Sequence, residues 1–190
     1  MRHLITLPNI LTGYRVAVVP FLLVCLLPGG GRWTEVVAFA LFLTAALTDL
    51  ADGYYARKQK CETILGKLMD PLADKVLVAV ALIMLIPIER VPAWVSFMIV
   101  ARELVVTGLR GVAASSGIVV AASRMGKIKS VLQYIALCVL IFPVGVLPIP
   151  FLHEIGLNIL YVSLVLTIWS GFDYFYRFQQ VFLVTPELRS

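Results

Sequence analysis

Charge is scarce in this chain. Only 14% of its 190 residues are Asp, Glu, Lys or Arg, against roughly 25% in soluble domains. With 61% hydrophobic residues and a mean hydropathy of +0.96, that scarcity excludes an ordinary soluble fold and points to a polytopic membrane protein. Cysteine is almost missing too. Cys25, Cys61 and Cys138 show neither pairing nor metal-ligand spacing, so no disulfide and no zinc site are expected. The two histidines, His3 and His153, lack ligand spacing. The start of the chain lacks the marks of a signal peptide: Arg2 alone makes a charged region, Pro8 and Asn9 interrupt early, and no small-x-small site follows. Internal repeats and low-complexity tracts are also absent.

What remains is apolar helix. A span needs about 20 apolar residues, so six spans with short connections consume nearly the whole chain and leave no room for a soluble domain. The expected fold is an all-α membrane protein, one domain over 1–190. A short amphipathic interfacial helix over 1–13 is followed by transmembrane helices at 15–28, 33–57, 64–86, 92–115, 126–147 and 155–180. Pro20 is an expected kink, and the Pro-Gly-Gly-Gly run from Pro28 an expected turn. Trp33, Trp94 and Trp169 read as belt or packing residues. The net charge of +5 reads as topology and attraction to anionic lipid, not as nucleic-acid binding. With the N-terminus inside, Arg2, Arg15, Arg57, Lys58, Lys60, Lys67, Arg110, Arg124, Lys127, Lys129, Arg177 and Arg189 are cytoplasmic, and only Arg32 and Arg90 lie outside. Both termini are therefore expected in the cytoplasm.

Four aspartates stand out against this apolar background. Asp49, Asp52, Gly53 and Ala56 fall at i, i+3, i+4 and i+7 of the second span, and Gly66, Asp70 and Asp74 at i, i+4 and i+8 of the third. Each set shares one helical face, with neighbouring Cβ atoms roughly 5–6 Å apart. Crowded carboxylates repel unless cations neutralise them, and hard divalent ions do so through oxygen ligands. Four carboxylates balance two Mg²⁺ or Mn²⁺ ions, the arrangement of a two-metal site. Gly53 and Gly66 permit close approach of a ligand to the backbone, and Arg57 remains on the same face to clamp phosphate. Asp74 lies about 12 Å along its helix from Gly66. The competing readings are polar glue between helices and a metal-ion path. A path would spread carboxylates across the membrane, whereas these gather at one side. Glue is disfavoured because each intramembrane charge costs about 2.5–3.5 kcal/mol on insertion scales.

The pattern D-x2-D-G-x2-A-R-x8-G-x3-D-x3-D, beginning at Asp49, resembles the signature of the CDP-alcohol phosphotransferase family at every defined position. The resemblance extends from Leu7 to about Asp173. It implies a CDP-linked lipid as donor and an alcohol as acceptor. Asp49, Asp52, Asp70 and Asp74 would hold the metal ions, and Asp74 would act as the base. The CDP-lipid would meet Asn9, Thr12, Asp49, Gly53, Ala56, Arg57, Gly66 and Asp70. For Asn9 and Thr12, an interfacial anchor is the other reading.

A second polar stretch, from Ala101 to Arg110, carries Glu103, Thr107 and Arg110 at i, i+4 and i+7, with Arg102 about 100° away. Lys127 and Lys129 follow at the start of the fifth span. These stretches resemble the branch of the family whose acceptor is sn-glycerol 3-phosphate and whose donor is CDP-diacylglycerol. Arg102, Thr107, Arg110, Lys127 and Lys129 would then hold the acceptor phosphate. Plain pairing of Glu103 with Arg110 or Lys75, and loop charge for the lysines, are the alternatives. Phosphatidylglycerol, an inositol phosphate and serine are the other acceptors to separate by assay. Ser170, Asp173, Tyr174 and Arg177 share a face of the last span, with Asp173 and Arg177 expected to pair locally. The family resemblance further implies a homodimer in a bacterial inner membrane, and the Lys and Arg distribution turns the site toward the cytoplasm.

Overall fold

The computed structural model describes residues 7–59, 64–115, 124–146 and 149–184, with side chains described over 10–48, 72–114, 125–146, 149–176 and 178–179. The described residues form six α-helices and no strand: α1 Leu7–Cys25, α2 Arg32–Gln59, α3 Ile64–Met84, α4 Ala93–Ser115, α5 Arg124–Ile141 and α6 Leu152–Val184.

Short turns join the helices at one end of the bundle. Between α1 and α2 the chain reverses at Gly29, whose φ of 89° is open to glycine at little cost. The Thr34 hydroxyl closes the start of α2 by donating to the Gly31 carbonyl at 2.7 Å. Pro92 precedes α4 and offers its carbonyl to the amides of Val95 and Ser96. Helix α5 stops at Ile141, six residues short of the expected boundary of 147. Pro143 disfavours helix at the residue before it, and Gly145 turns the chain at φ 73°.

The N-terminal expectation also changes. Instead of an interfacial helix and a separate first span, α1 runs unbroken from Leu7 to Cys25. Pro8 sits in its first turn, where a missing N–H costs nothing, and Pro20 lies inside without ending it. Residues 1–6 lie outside the described residues.

The bundle is apolar at its centre and on its outer surface. Leu22, Phe42, Leu77, Leu82, Leu85, Ile99, Leu137 and Leu160 are fully buried where the helices meet. On the outside, Phe21, Phe97, Leu104, Val165 and Phe172 are exposed, as are Trp33, Trp94 and Trp169. Lys129, Gln133, Ser163, Thr167 and Ser170 are buried. An apolar outer surface with the buried polar side chains set among an apolar core is the distribution a lipid solvent favours. Within α6, Thr167 and Ser170 return their hydroxyls to the carbonyls of Ser163 and Thr167, at 2.6 and 3.1 Å. Their small side chains let neighbouring helices approach closely.

Among the described residues, Leu152–Tyr176 is the one stretch long and apolar enough by composition to cross a membrane, while the apolar part of α1 is the shorter Ile10–Cys25. In α4 the reason lies in the sequence, since Arg102, Glu103 and Arg110 all fall within its length. These charges dilute hydropathy where they build the interior site.

Candidate active site

The signature helices exist as the spacing requires. Asp49 and Asp52 lie on the continuous backbone of α2, and Asp70 and Asp74 on that of α3. The side chains of Asp49, Asp52, Gly53, Ala56, Arg57, Gly66 and Asp70, and that of Asn9, fall outside the described ones. Thr12 is buried on α1.

Asp74 is the described anchor of the site. It is half-buried on α3 and accepts a hydrogen bond at Oδ1 from the Tyr134 hydroxyl of α5. The Tyr134 ring is itself seated against Phe42 of α2, with centroids 5.9 Å apart. Three helices thus fix the position of one carboxylate oxygen.

Next to Asp74, Lys75 donates to the Thr107 hydroxyl of α4, which in turn donates to the Glu103 carbonyl at 2.6 Å. The Glu103 carboxylate receives Lys129 from α5 and, at 3.0 Å, Arg102 Nη1 from α4. Arg102 Nη2 donates to Ser170 Oγ on α6 at 2.8 Å, and its Nε, buried, has no hydrogen-bond partner among the described residues. Gly171 lets α6 approach this guanidinium: a Cβ there would lie 3.3 Å from Arg102 Cγ and Nε. Farther along α4, Arg110 sits over the Tyr174 ring, 5.8 Å from its centroid, a cation–π contact.

Of the acceptor residues expected from sequence, Arg102, Thr107 and Lys129 come together around Glu103. Arg110 stands apart over Tyr174. Lys127 is exposed, two residues and so about 200° around α5 from Lys129. Glu103 pairs with Lys129 and Arg102, not with Arg110. Sequence reasoning missed Tyr134 and Gln133. The available signal for Gln133 was an amide four residues after Lys129, on the same face of α5.

Chemically, Lys75, Arg102 and Lys129 outnumber the carboxylates of Asp74 and Glu103 among the described residues. This arrangement offers a held carboxylate beside cationic donors, which suits a hydroxyl carried by a phosphate. Asp74 is a hard oxygen donor of the type divalent Mg²⁺ and Mn²⁺ prefer, and the other three signature aspartates supply the same chemistry from α2 and α3. No group of three or more metal-binding side chains comes together among the described residues.

A model of the CDP-alcohol phosphatidyltransferase family matches residues 5–169. The chain is 41% identical over 183 residues to a Bacillus subtilis (strain 168) protein named CDP-diacylglycerol–glycerol-3-phosphate 3-phosphatidyltransferase, covering 89% of this chain and 93% of that one. A Rickettsia felis protein of the same name is 38% identical over 169 residues, covering 89% and 93%. A Mycobacterium tuberculosis (strain H37Rv) protein named probable phosphatidylglycerophosphate synthase is 39% identical over 173 residues, covering 90% and 80%.

Proposed function

The chain belongs to the CDP-alcohol phosphatidyltransferase family, and from that premise we propose that it transfers the phosphatidyl group of CDP-diacylglycerol to sn-glycerol 3-phosphate. The products are phosphatidylglycerophosphate and CMP, a step toward phosphatidylglycerol and cardiolipin. The observation that carries this reading is the Asp74 carboxylate, held by Tyr134 one residue from Lys75 and near the Arg102–Glu103–Lys129 cluster. The names of the relatives support the same donor and acceptor.

The family is membrane-embedded and generally depends on a divalent metal. Here two Mg²⁺ or Mn²⁺ ions, held by Asp49, Asp52, Asp70 and Asp74, would neutralise the pyrophosphate when bound. Asn9, Thr12, Gly53, Ala56, Arg57 and Gly66 line the path of the CDP-lipid. Arg102, Thr107 and Lys129 hold the acceptor phosphate, while Arg110, which stands apart over Tyr174, and exposed Lys127 draw the anion in. The primary hydroxyl of glycerol 3-phosphate attacks the phosphorus that bears the diacylglycerol. The bond from that phosphorus to the bridging oxygen breaks, CMP leaves with the electron pair, and the hydroxyl proton passes to Asp74. Six spans in a bacterial inner membrane, cytoplasmic termini and a homodimer complete the reading.

The test is CMP release from CDP-diacylglycerol by the purified protein with each candidate acceptor in turn. Release should require glycerol 3-phosphate, vanish with a chelator and return with Mg²⁺ or Mn²⁺. Asp74→Asn should abolish turnover while CDP-lipid still binds, since a base acts on the chemical step. Turnover with serine or an inositol phosphate alone would overturn the acceptor.

A further inference from the structure

A cavity of about 140 Å³ opens between α3, α4 and α5. Its polar lining is Asp74, Lys75, Glu103, Thr107, Ser130, Gln133 and Tyr134, and the remainder is aliphatic. Gln133 is 4% exposed, and its Nε2 is buried with no hydrogen-bond partner among the described residues. An unpaired buried amide costs stability, and this one lines a cavity beside the carboxylate that would take the acceptor's proton. Its place is unexplained by the fold alone.

We propose that Gln133 is a specificity residue that binds the middle hydroxyl of the glycerol acceptor. This rests on the transfer reading above and deepens it, since phosphate binding falls to Arg102 and Lys129. The geometry sets an order along the acceptor. Lys129 and Gln133 are four residues apart on one face of α5, about one 5.4 Å turn, and Tyr134 follows directly with its hydroxyl on Asp74. Phosphate at Lys129, secondary hydroxyl at Gln133 and reacting hydroxyl at Asp74 is the order of groups along glycerol 3-phosphate. A side-chain amide carries both donor and acceptor groups, matching a hydroxyl that does both. The volume agrees: a cavity of roughly 150 Å³ accommodates benzene, with six heavy atoms, and glycerol has the same number. The aliphatic walls suit the carbon backbone.

The experiment compares two acceptors with the purified full-length enzyme and CDP-diacylglycerol in mixed micelles. One is sn-glycerol 3-phosphate. The other is 3-hydroxypropyl phosphate, which keeps the phosphate and the reacting primary hydroxyl and lacks the middle one. The wild type should use the analogue with a kcat/KM about tenfold lower, the loss of one hydrogen bond from a buried polar site. In Gln133→Met the ratio should fall to near one, through poorer use of glycerol 3-phosphate, with the KM for CDP-diacylglycerol unchanged. Equal use of both acceptors by the wild type overturns the proposal, and so does a ratio that survives the substitution. Should Gln133→Met fail to fold, Gln133→Asn, which withdraws the amide by one methylene, must narrow the ratio. A wild type that uses neither acceptor instead removes the transfer reading, and this inference with it.

Discussion

Tyr134 donates its phenolic hydrogen to Oδ1 of Asp74, joining α5 to α3 at the carboxylate on which the proposed chemistry turns. A carboxylate that serves as base must present its oxygen in line with the incoming hydroxyl. A rigid phenol, itself packed on Phe42, fixes that plane without adding charge. Tyr134→Phe keeps the ring contact and removes only the hydrogen bond. Bonds to charged groups are worth roughly 1.5–3 kcal/mol, so kcat should fall about 10–100-fold with both KM values little changed. Steady-state CMP release at varied donor and acceptor checks this, and an unchanged kcat removes Tyr134 from the positioning role.

At the opposite end of the bundle, Arg90 makes a different kind of contact. Its Nη2 meets Glu35 Oε1 at 2.7 Å, and its Nη1 donates to the carbonyls of Leu140 and Ile141 at 3.1 and 3.3 Å. Those carbonyls end α5, where a helix lacks partners of its own and a cation is favoured. Arg90→Ala should therefore loosen the packing of α2, α4 and α5 without touching substrate. The expected result is a thermal midpoint lower by roughly 5–10 °C in detergent, with both KM values intact. Raised KM values at an unchanged midpoint would place Arg90 in the chemistry instead.

Much of this was legible in the sequence, for identifiable reasons. Helical periodicity put the aspartates on common faces before any coordinates, because the 3.6-residue repeat is fixed by the backbone. Element existence followed from apolar runs, and boundaries failed where local chemistry intervened, as at Pro143 for α5. Inter-helix pairing was not legible. Spacing linked Glu103 with Thr107 and Arg110, yet the Glu103 carboxylate binds Lys129 and Arg102. Arg102 starts about 100° away on the helix, but its long stem swings the guanidinium back. The sequence places Lys129 among the acceptor cations with loop charge as the other reading, and its burial on α5 disfavours the loop charge. Helix rotation and depth set such contacts, and neither is encoded in spacing along one helix.

Orientation yields a prediction from cysteine chemistry. Cys61 falls between α2 and α3 in the sequence and lies outside the described residues, while Cys25 and Cys138 are half-buried in α1 and α5. Lys and Arg crowd that stretch of the sequence, so under the proposed orientation it faces the cytoplasm. A membrane-impermeant thiol reagent should label Cys61 in inside-out vesicles and spare it in intact spheroplasts. Labelling of Cys61 from the outer face would invert the topology and the site with it.

The cations expected at the acceptor separate into two kinds, and salt distinguishes them. Arg102 and Lys129 are held in place by Glu103 and Ser170, and Lys129 is only 4% exposed. A phosphate bound there makes charge-assisted hydrogen bonds out of bulk water, worth roughly 1.5–3 kcal/mol each. Loss of either cation, in Arg102→Ala or Lys129→Met, should raise the KM for glycerol 3-phosphate by about 10–100-fold. That factor should persist at high ionic strength, because buried pairs are weakly screened. Lys127, exposed on the first turn of α5, acts only through the field that gathers a dianion of about −2 charge. Lys127→Ala should raise the same KM by a smaller factor at low salt. That effect should disappear near 1 M salt, where the Debye length is about 3 Å. The KM for CDP-diacylglycerol should hold steady in all three variants. Measuring acceptor KM at low and high salt across the set decides the matter. A Lys127 effect that survives high salt would make it a direct ligand of the phosphate, and an Arg102 effect that salt abolishes would move the phosphate site to the surface.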